Sequence, residues 1–226
     1  MEVINAGFPG KNTRDLLKRF PGLQLSRTPD CVVLLLGTND MLNSYNETGE
    51  KEFSVHLEEL AKRCTALPAS LILCEIPQAY QPYMERRHKP GFFETCSAAM
   101  RVQKANRVIG NLAQHLGVPL IPTAELLGAP GENPASLIRN IANSDAEDGV
   151  HPTAQGYGKL AAAVAEAIEK LPRKPQTVLC LGDSITFGVH MRGAGTASPD
   201  ADCYPGQLAR LLNQSGAVAR RPFNES

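Results

Sequence analysis

Hydrophobic positions along the chain fall into two kinds of segment. Short, nearly unbroken apolar runs at Cys31–Leu36 (CVVLLL), Leu71–Ile76 (LILCEI), Val118–Ile121 and Val178–Leu181 (VLCL) read as strands buried on both faces, as in a parallel sheet under helices. Val3 and Ile4 begin one more short strand. Between the runs lie stretches with helical spacing. Arg14–Phe20 is capped by Asn12 or Thr13 and stopped by Pro21-Gly22. Lys51–Leu67 carries Phe53, Leu57, Leu60, Ala61 and Cys64 on one stripe. A helix from about Glu94 to Leu116 ends at Gly117. Pro152 suits the first turn of an Ala-rich helix over 153–171, and Tyr204–Asn213 is amphipathic. Five short strands alternating with helices predict a three-layer α/β/α domain around a mainly parallel sheet.

The remaining segments are polar or rich in Gly and Pro. Residues 41–50 form an excursion over the active face, and 78–93 (QAYQPYMERRHKPGFF) a long loop over one edge of the sheet. Residues 122–147 are loop-rich, with one helical turn around Pro134–Ala142. Leu171–Pro175 is a linker, and the last ten or so residues are irregular. No repeat or low-complexity tract occurs.

Composition narrows the functional classes. The 226 residues are expected to make one domain, and their apolar content of 42% is ordinary. Basic and acidic residues balance, 23 against 23, and no basic block leaves an electrostatic footprint for nucleic acid. No apolar run approaches the roughly 20 residues of a membrane span. The start, MEVINAGF, lacks the pattern of a signal peptide. The cysteines Cys31, Cys64, Cys74, Cys96, Cys180 and Cys203 form no CxxC pair. They read as small thiols in a reducing compartment, which points to the cytoplasm and away from metal ligation.

The candidate chemistry sits where apolar runs end. Gly182-Asp183-Ser184 turns the chain sharply after VLCL, leaving Ser184 at the strand's C-terminal end, the edge where open α/β sheets bind ligands. Ser184 there is either a nucleophile or a turn serine capping the next helix. Asp148 and His151 lie three apart in Asp-Gly-Val-His-Pro, so one short turn lets the carboxylate reach the imidazole. A serine hydroxyl needs that imidazole to take its proton, and the imidazole needs a carboxylate to fix its tautomer. The Ser184 N–H, the Gly10 N–H and the Asn39 amide can supply an oxyanion hole. Read singly, Asp148 and Asn39 could be turn residues, and Gly10 could serve only a positive φ. His190 is the rival base, lacking a carboxylate nearby in sequence. Asp183 orders the nucleophile turn or touches substrate. Tyr80, Tyr83, Phe92 and Phe93 line an acyl pocket or pin down their loop, and the basic cluster Arg86-Arg87-His88-Lys89 faces an anionic alcohol part or only solvent.

At these residues the chain resembles the SGNH (GDSL-like) hydrolase family. Gly182-Asp183-Ser184-Ile185 matches its first block, Asn5–Gly10 its second, Gly37-Thr38-Asn39-Asp40 its third and Asp148–Pro152 its fifth. The resemblance spans essentially the whole chain. It implies the flavodoxin-like five-stranded fold, a triad of Ser184, His151 and Asp148, an oxyanion hole of Ser184, Gly10 and Asn39, and ester hydrolysis without metal or organic cofactor. The block order departs from the family: the serine block follows the Asp/His block, as in a circular permutation with residues 172–176 joining the former ends. A monomer or homodimer is expected, and Ser215–Ser226 could pair with a second subunit in a domain swap. The resemblance leaves the substrate open. A short acyl ester, acetyl first, of a small molecule or carbohydrate is favoured because no long apolar lid helix is evident. A lysophospholipase or thioesterase acting on longer chains, and an acyltransferase or glycan-binding relative, are the alternatives. A flavodoxin-like nucleotide binder is disfavoured, because no glycine-rich phosphate loop follows a strand.

Overall fold

Five parallel strands carry the structure: β1 (Glu2–Gly7), β2 (Cys31–Leu35), β3 (Ser70–Cys74), β4 (Leu120–Ile121) and β5 (Thr177–Gly182). The structure is a computed structural model and describes residues 1–23, 25 and 27–218. The tail beyond Val218 lies outside the described residues, as do the side chains of Ser215–Val218, so the pairing considered for Ser215–Ser226 falls there.

The sheet order is β1-β5-β2-β3-β4, with every pairing parallel. β2 and β5 are buried along their whole length because each has strands on both sides and helices on both faces. That is why CVVLLL and VLCL show no alternation. Counted from β5 as the first strand, the order reads 2-1-3-4-5, the flavodoxin-like arrangement.

The helices are α1 (Thr13–Arg19), α2 (Thr38–Leu42), α3 (Gly49–Thr65), α4 (Gln81–Arg87), α5 (Ala98–Leu116), α6 (Thr123–Leu127), α7 (Ile141–Ser144), α8 (Ala154–Glu169), α9 (Ser184–Phe187) and α10 (Tyr204–Val218). α1, α3 and α5 pack on one another in one layer, and α8 packs against α10 in the other. The caps follow local chemistry. Asn12 accepts from the Asp15 N–H, Ser97 from Met100 and Thr153 from Gly156, while Gly117 closes α5 at φ 63°.

Three sequence expectations change. Residues 78–93 are not all loop, because Gln81–Arg87 is helical and buries Tyr83 and Met84. The excursion over 41–50 begins inside α2, whose five residues are all buried. The helical turn expected at Pro134–Ala142 lies later, at Ile141–Ser144, where an Asn140–Asn143 capping box starts it.

Register then fixes where the loops leave the sheet. Gly7 pairs with Gly182, Gly182 with Leu35, Leu35 with Cys74 and Cys74 with Ile121. The C-terminal ends of all five strands therefore stand in one row. The loops carrying Gly10, Asn39 and Ser184 depart from that row together.

Candidate active site

Ser184 opens α9 directly after β5. Asp183 caps this helix, its Oδ1 accepting from the Ile185 N–H at 2.9 Å. The turn is tight enough to require glycine before it: a Cβ on Gly182 would stand 2.2 Å from both the Leu35 carbonyl oxygen and Thr186 Oγ1. The first N–H groups of α9 have no intrahelical acceptor, so the Ser184 N–H is available beside its own hydroxyl.

The Asp148–His151 turn is clamped from two sides. Gly149 N–H donates to the Arg139 carbonyl and Arg139 N–H to the His151 carbonyl, both at 2.9 Å, and Ile138 bridges Pro152. Across the turn, Tyr80 N–H donates to the Gly149 carbonyl at 2.8 Å. Gly149 has φ 72°, and a Cβ there would press on Tyr80 and Tyr83 at 3.1–3.2 Å. Tyr80 and Tyr83 stack edge-on beneath it, with ring centroids 4.9 Å apart. Tyr83 is fully buried, and neither tyrosine lines the cleft described below. The substrate-contact expectation for this pair therefore gives way to a supporting role under the turn. Phe93 likewise lies in the core.

The two segments meet. His151 Nε2 is 3.0 Å from Ser184 Oγ, and His151 Nδ1 is 3.0 Å from Asp148 Oδ1. Asp148 Oδ1 also accepts from the Val150 and His151 N–H groups at 3.0 and 2.9 Å. Burial works to raise the Asp148 pKa, but the hydrogen bond and charge of His151 and these backbone donors outweigh it. The carboxyl is held well below the usual carboxylate range. Arg139 Nε stands 3.4 Å from Asp148 Oδ2 and reinforces the ionised form.

His190 also comes to this carboxylate, with Nε2 3.6 Å from Asp148 Oδ2 and its ring 5.4 Å from that of His151. Sequence distance hid this approach. His190 adopts a left-handed backbone (φ 70°) just after Gly188, which brings it round to the turn. Its position beside Asp148 leaves His151 as the imidazole that bridges to Ser184. Among the described residues, Asp148, His151 and His190 bring three ligand atoms within 4.8 Å of one another, although Arg139 faces the same carboxylate oxygen.

Asn39 lines the cleft beside Ser184. Its Nδ2 donates to the Lys11 carbonyl at 3.1 Å, and its Oδ1 accepts from Asn43 Nδ2 at 3.2 Å, so the amide is fixed in one orientation. Gly10 is exposed at φ 73° in the turn before Lys11, and its carbonyl accepts from Asn46 Nδ2 at 3.1 Å. Asp40, after Asn39, ties α1 to this loop by accepting from the Thr13 N–H, Thr13 Oγ1 and Thr48 Oγ1.

The cleft itself has a volume of about 190 Å³ and is lined by Thr38, Asn39, Leu42, Asn43, Met84, Arg87, His88, Val150, His151 and Ser184. Asp183 is not among them. It has no exposed surface and supports the β5–α9 turn from beneath, away from the cleft. Met84 escaped sequence reasoning, since nothing marks a residue in an unrecognised helix as facing a site, and Leu42 and Asn43 were visible only as part of the excursion over 41–50. Arg87 and His88 were visible as part of a basic cluster but not as its cleft-facing members. The five buried cysteines sit in the core or under α10; burial pushes the thiols of Cys31 and Cys64 up to about 12 and raises those of Cys74, Cys180 and Cys203, which makes them unreactive. Among the described residues no helix is long and apolar enough to cross a membrane.

The chain resembles the structure of a GDSL-like lipase from Bacteroides thetaiotaomicron, with 26% identity and a TM-score of 0.55 over 71% of this chain and 72% of that one. A lipase/acylhydrolase from Enterococcus faecalis matches at 24% identity and TM-score 0.55, covering 71% and 72% of the two chains. A mutant of Axe2, an acetyl-xylooligosaccharide esterase from Geobacillus stearothermophilus, matches at 22% identity and TM-score 0.53, covering 70% and 68%. The latter two likenesses concern the fold. A search of curated proteins gave no match. The sequence profile of the GDSL-like lipase/acylhydrolase family matches residues 1–159, more than half of the chain. The chain therefore belongs to the GDSL-like lipase/acylhydrolase family and is a carboxylic ester hydrolase.

Proposed function

We propose that the protein hydrolyses short-chain acyl esters, acetyl esters first, through an acyl-enzyme on Ser184. The observation that carries this is the continuous chain Ser184 Oγ–His151 Nε2–His151 Nδ1–Asp148 Oδ1, with both links at 3.0 Å. His151 takes the Ser184 proton as Oγ attacks the ester carbonyl. Asp148 holds the imidazole with its proton on Nδ1 and stabilises the imidazolium that forms. The tetrahedral oxyanion is received by the Ser184 N–H, the Asn39 amide and the Gly10 N–H. His151 then gives its proton to the leaving alcohol, and a water activated by the same imidazole releases the acid.

The preference for short acyl groups rests on the cleft. A volume of about 190 Å³ with only Leu42, Met84 and Val150 as apolar walls suits an acetyl or butyryl group better than a fatty chain. Hydrolysis of p-nitrophenyl esters of increasing acyl length, with Ser184→Ala as control, tests the reading. The expected result is activity confined to acetyl and butyryl esters and absent from the variant. Rates that rise with chain length would keep the mechanism and replace the substrate, whereas activity retained in Ser184→Ala would remove the nucleophile.

We also propose that residues 1–226 form a single domain in permuted order, with 172–176 joining the former ends. Three observations support it. β5 lies inside the sheet, between β1 and β2, although it comes last. The family profile ends before Ser184. The Met1 ammonium group donates to Asn213 Oδ1 of α10 at 3.0 Å, so the start of β1 lies against the helix that would precede it in the family's order. A chain rejoined from α10 to β1 and opened between 171 and 176 is expected to fold and retain activity; an unfolded product would argue against a single permuted domain.

A further inference from the structure

The cluster Arg86-Arg87-His88-Lys89 is not a uniform solvated patch, and its four members differ in what they already hold. Arg86 pairs with Glu147. Lys89 stands over the Tyr45 ring at 5.3 Å. His88 meets Ser44 Oγ at 3.3 Å, and burial and the neighbouring Arg87 lower its pKa, which keeps it neutral. Arg87 has no carboxylate within ion-pair distance among the described residues. Among the described residues it is also the one full cation lining the cleft that contains Ser184 and His151, and no acidic side chain among them lines that cleft.

Arg87 is also anchored. Its Nη2 donates to the Asp148 carbonyl and lies 3.1 Å from Met84 Sδ. These two contacts hold the guanidinium at the rim, while Nε and Nη1 have no acceptor among the described residues. A held guanidinium with free donors is pre-organised for a planar anion, because little side-chain entropy remains to be lost on binding. In a cleft of about 190 Å³ whatever is bound to Ser184 lies close to it.

We propose that Arg87 recognises a negative charge on the substrate, so that the natural ester carries a carboxylate close to the scissile bond. This rests on the esterase reading above and specifies its substrate class. The carboxylate can sit on the alcohol part, as in an acetylated sugar acid or hydroxy acid, or on the acyl part, as in a dicarboxylic half-ester. The chemistry Arg87 reads is the same in both.

Two matched pairs of esters separate these cases: 4-acetoxybenzoate against 4-acetoxybenzamide, and phenyl hydrogen succinate against phenyl succinamate. In each pair the anionic ester and its neutral amide are compared by kcat/KM at low ionic strength. The wild-type protein is expected to favour the anion of at least one pair by about ten- to hundredfold, the range of a charge-assisted hydrogen bond. Arg87→Gln should bring that ratio to near one, and Arg87→Lys should restore part of it. Because Arg87 also supports the Asp148 carbonyl, absolute rates can fall in both variants, and the ratio within a pair is the quantity that reports recognition. Added salt should reduce the wild-type ratio. Turnover of the neutral esters with no anionic preference in either pair, or a preference unchanged in Arg87→Gln, overturns the role of Arg87 and leaves the esterase reading standing. No turnover of any of the four overturns both.

Discussion

Asn39 Nδ2 donates to the carbonyl of Lys11, the residue after Gly10, at 3.1 Å. One side chain thus ties the loop after β2 to the loop after β1, and both loops carry proposed oxyanion donors. Asn43 holds the other end of the same amide, so Asn39 cannot turn without breaking two bonds. The same residue lines the cleft beside Ser184.

Asn39→Ala is therefore expected to lower kcat by roughly 10²–10³ with little change in KM, the cost of one oxyanion donor. Steady-state kinetics on a short ester checks this. A pure KM effect would mean that Asn39 shapes the cleft without touching the oxyanion.

Asp148→Asn keeps the size of the side chain and an acceptor for the Val150 and His151 N–H groups. It loses the charge that stabilises the His151 imidazolium and sets an N–H donor in place of Oδ2, 3.1 Å from His151 Nδ1, where it opposes the Nδ1-protonated tautomer. A fall in kcat of about 10⁴ is expected, with the fold retained. The same carboxylate makes a pH prediction. Its folded pKa is depressed, so its stabilisation is present above the unfolded value near 3.8 and is lost as pH falls below it. Wild-type protein should lose more stability than Asp148→Asn in that acid range, measured by denaturant melts at several pH values.

The order in which these elements could be read from sequence has a physical cause. Cys31–Leu35 and Val178–Leu181 were legible because a strand covered on both faces must be apolar throughout, which leaves an unmistakable run. Ser184 and Asn39 were legible because they stand just beyond the ends of β5 and β2, and Asp148 and His151 because one short turn holds them three residues apart. Gln81–Arg87 was not, because a two-turn helix buries only Tyr83 and Met84 and its composition mimics a loop. The approach of His190 to Asp148 could not be seen either, since it depends on a left-handed residue 42 positions away whose conformation no local pattern announces. Arg87 was noticed for its charge, yet only the pairing of its neighbours with Glu147, Tyr45 and Ser44 distinguishes it.

Gly182 is expected to tolerate no side chain. A Cβ would lie 2.2 Å from the Leu35 carbonyl oxygen, and backbone in the middle of the sheet cannot yield. Gly182→Ala should cost about 3 kcal/mol, the upper end of overpacking, and lower Tm by roughly 6–12 °C. Thermal unfolding followed by circular dichroism measures it directly. An unchanged Tm would mean that the β5–α9 turn has more room than its geometry indicates.

Asp183 immediately precedes Ser184 and caps α9. It is fully buried, and among the described residues its Oδ2 makes no hydrogen bond of good geometry. Burial pushes its pKa up to about 7, against the opposing pull of the Ile185 N–H on Oδ1. The sign of the resulting linkage is opposite to that of Asp148. Between the unfolded pKa near 3.8 and about 7 the folded chain holds a proton that the unfolded chain has released, so stability falls as pH rises through this window and is level above it. Asp183→Asn keeps the acceptor for Ile185 and removes the ionisation. Relative to wild type it should gain stability on going from pH 4 to pH 8, by an amount of order 3–4 kcal/mol if the whole shift is expressed. Denaturant melts of both proteins across that range give the difference curve. A rise centred between pH 4 and 7 is the expected result. A flat curve would mean that Asp183 ionises normally, in which case water or rearrangement of the α9 turn must reach its Oδ2.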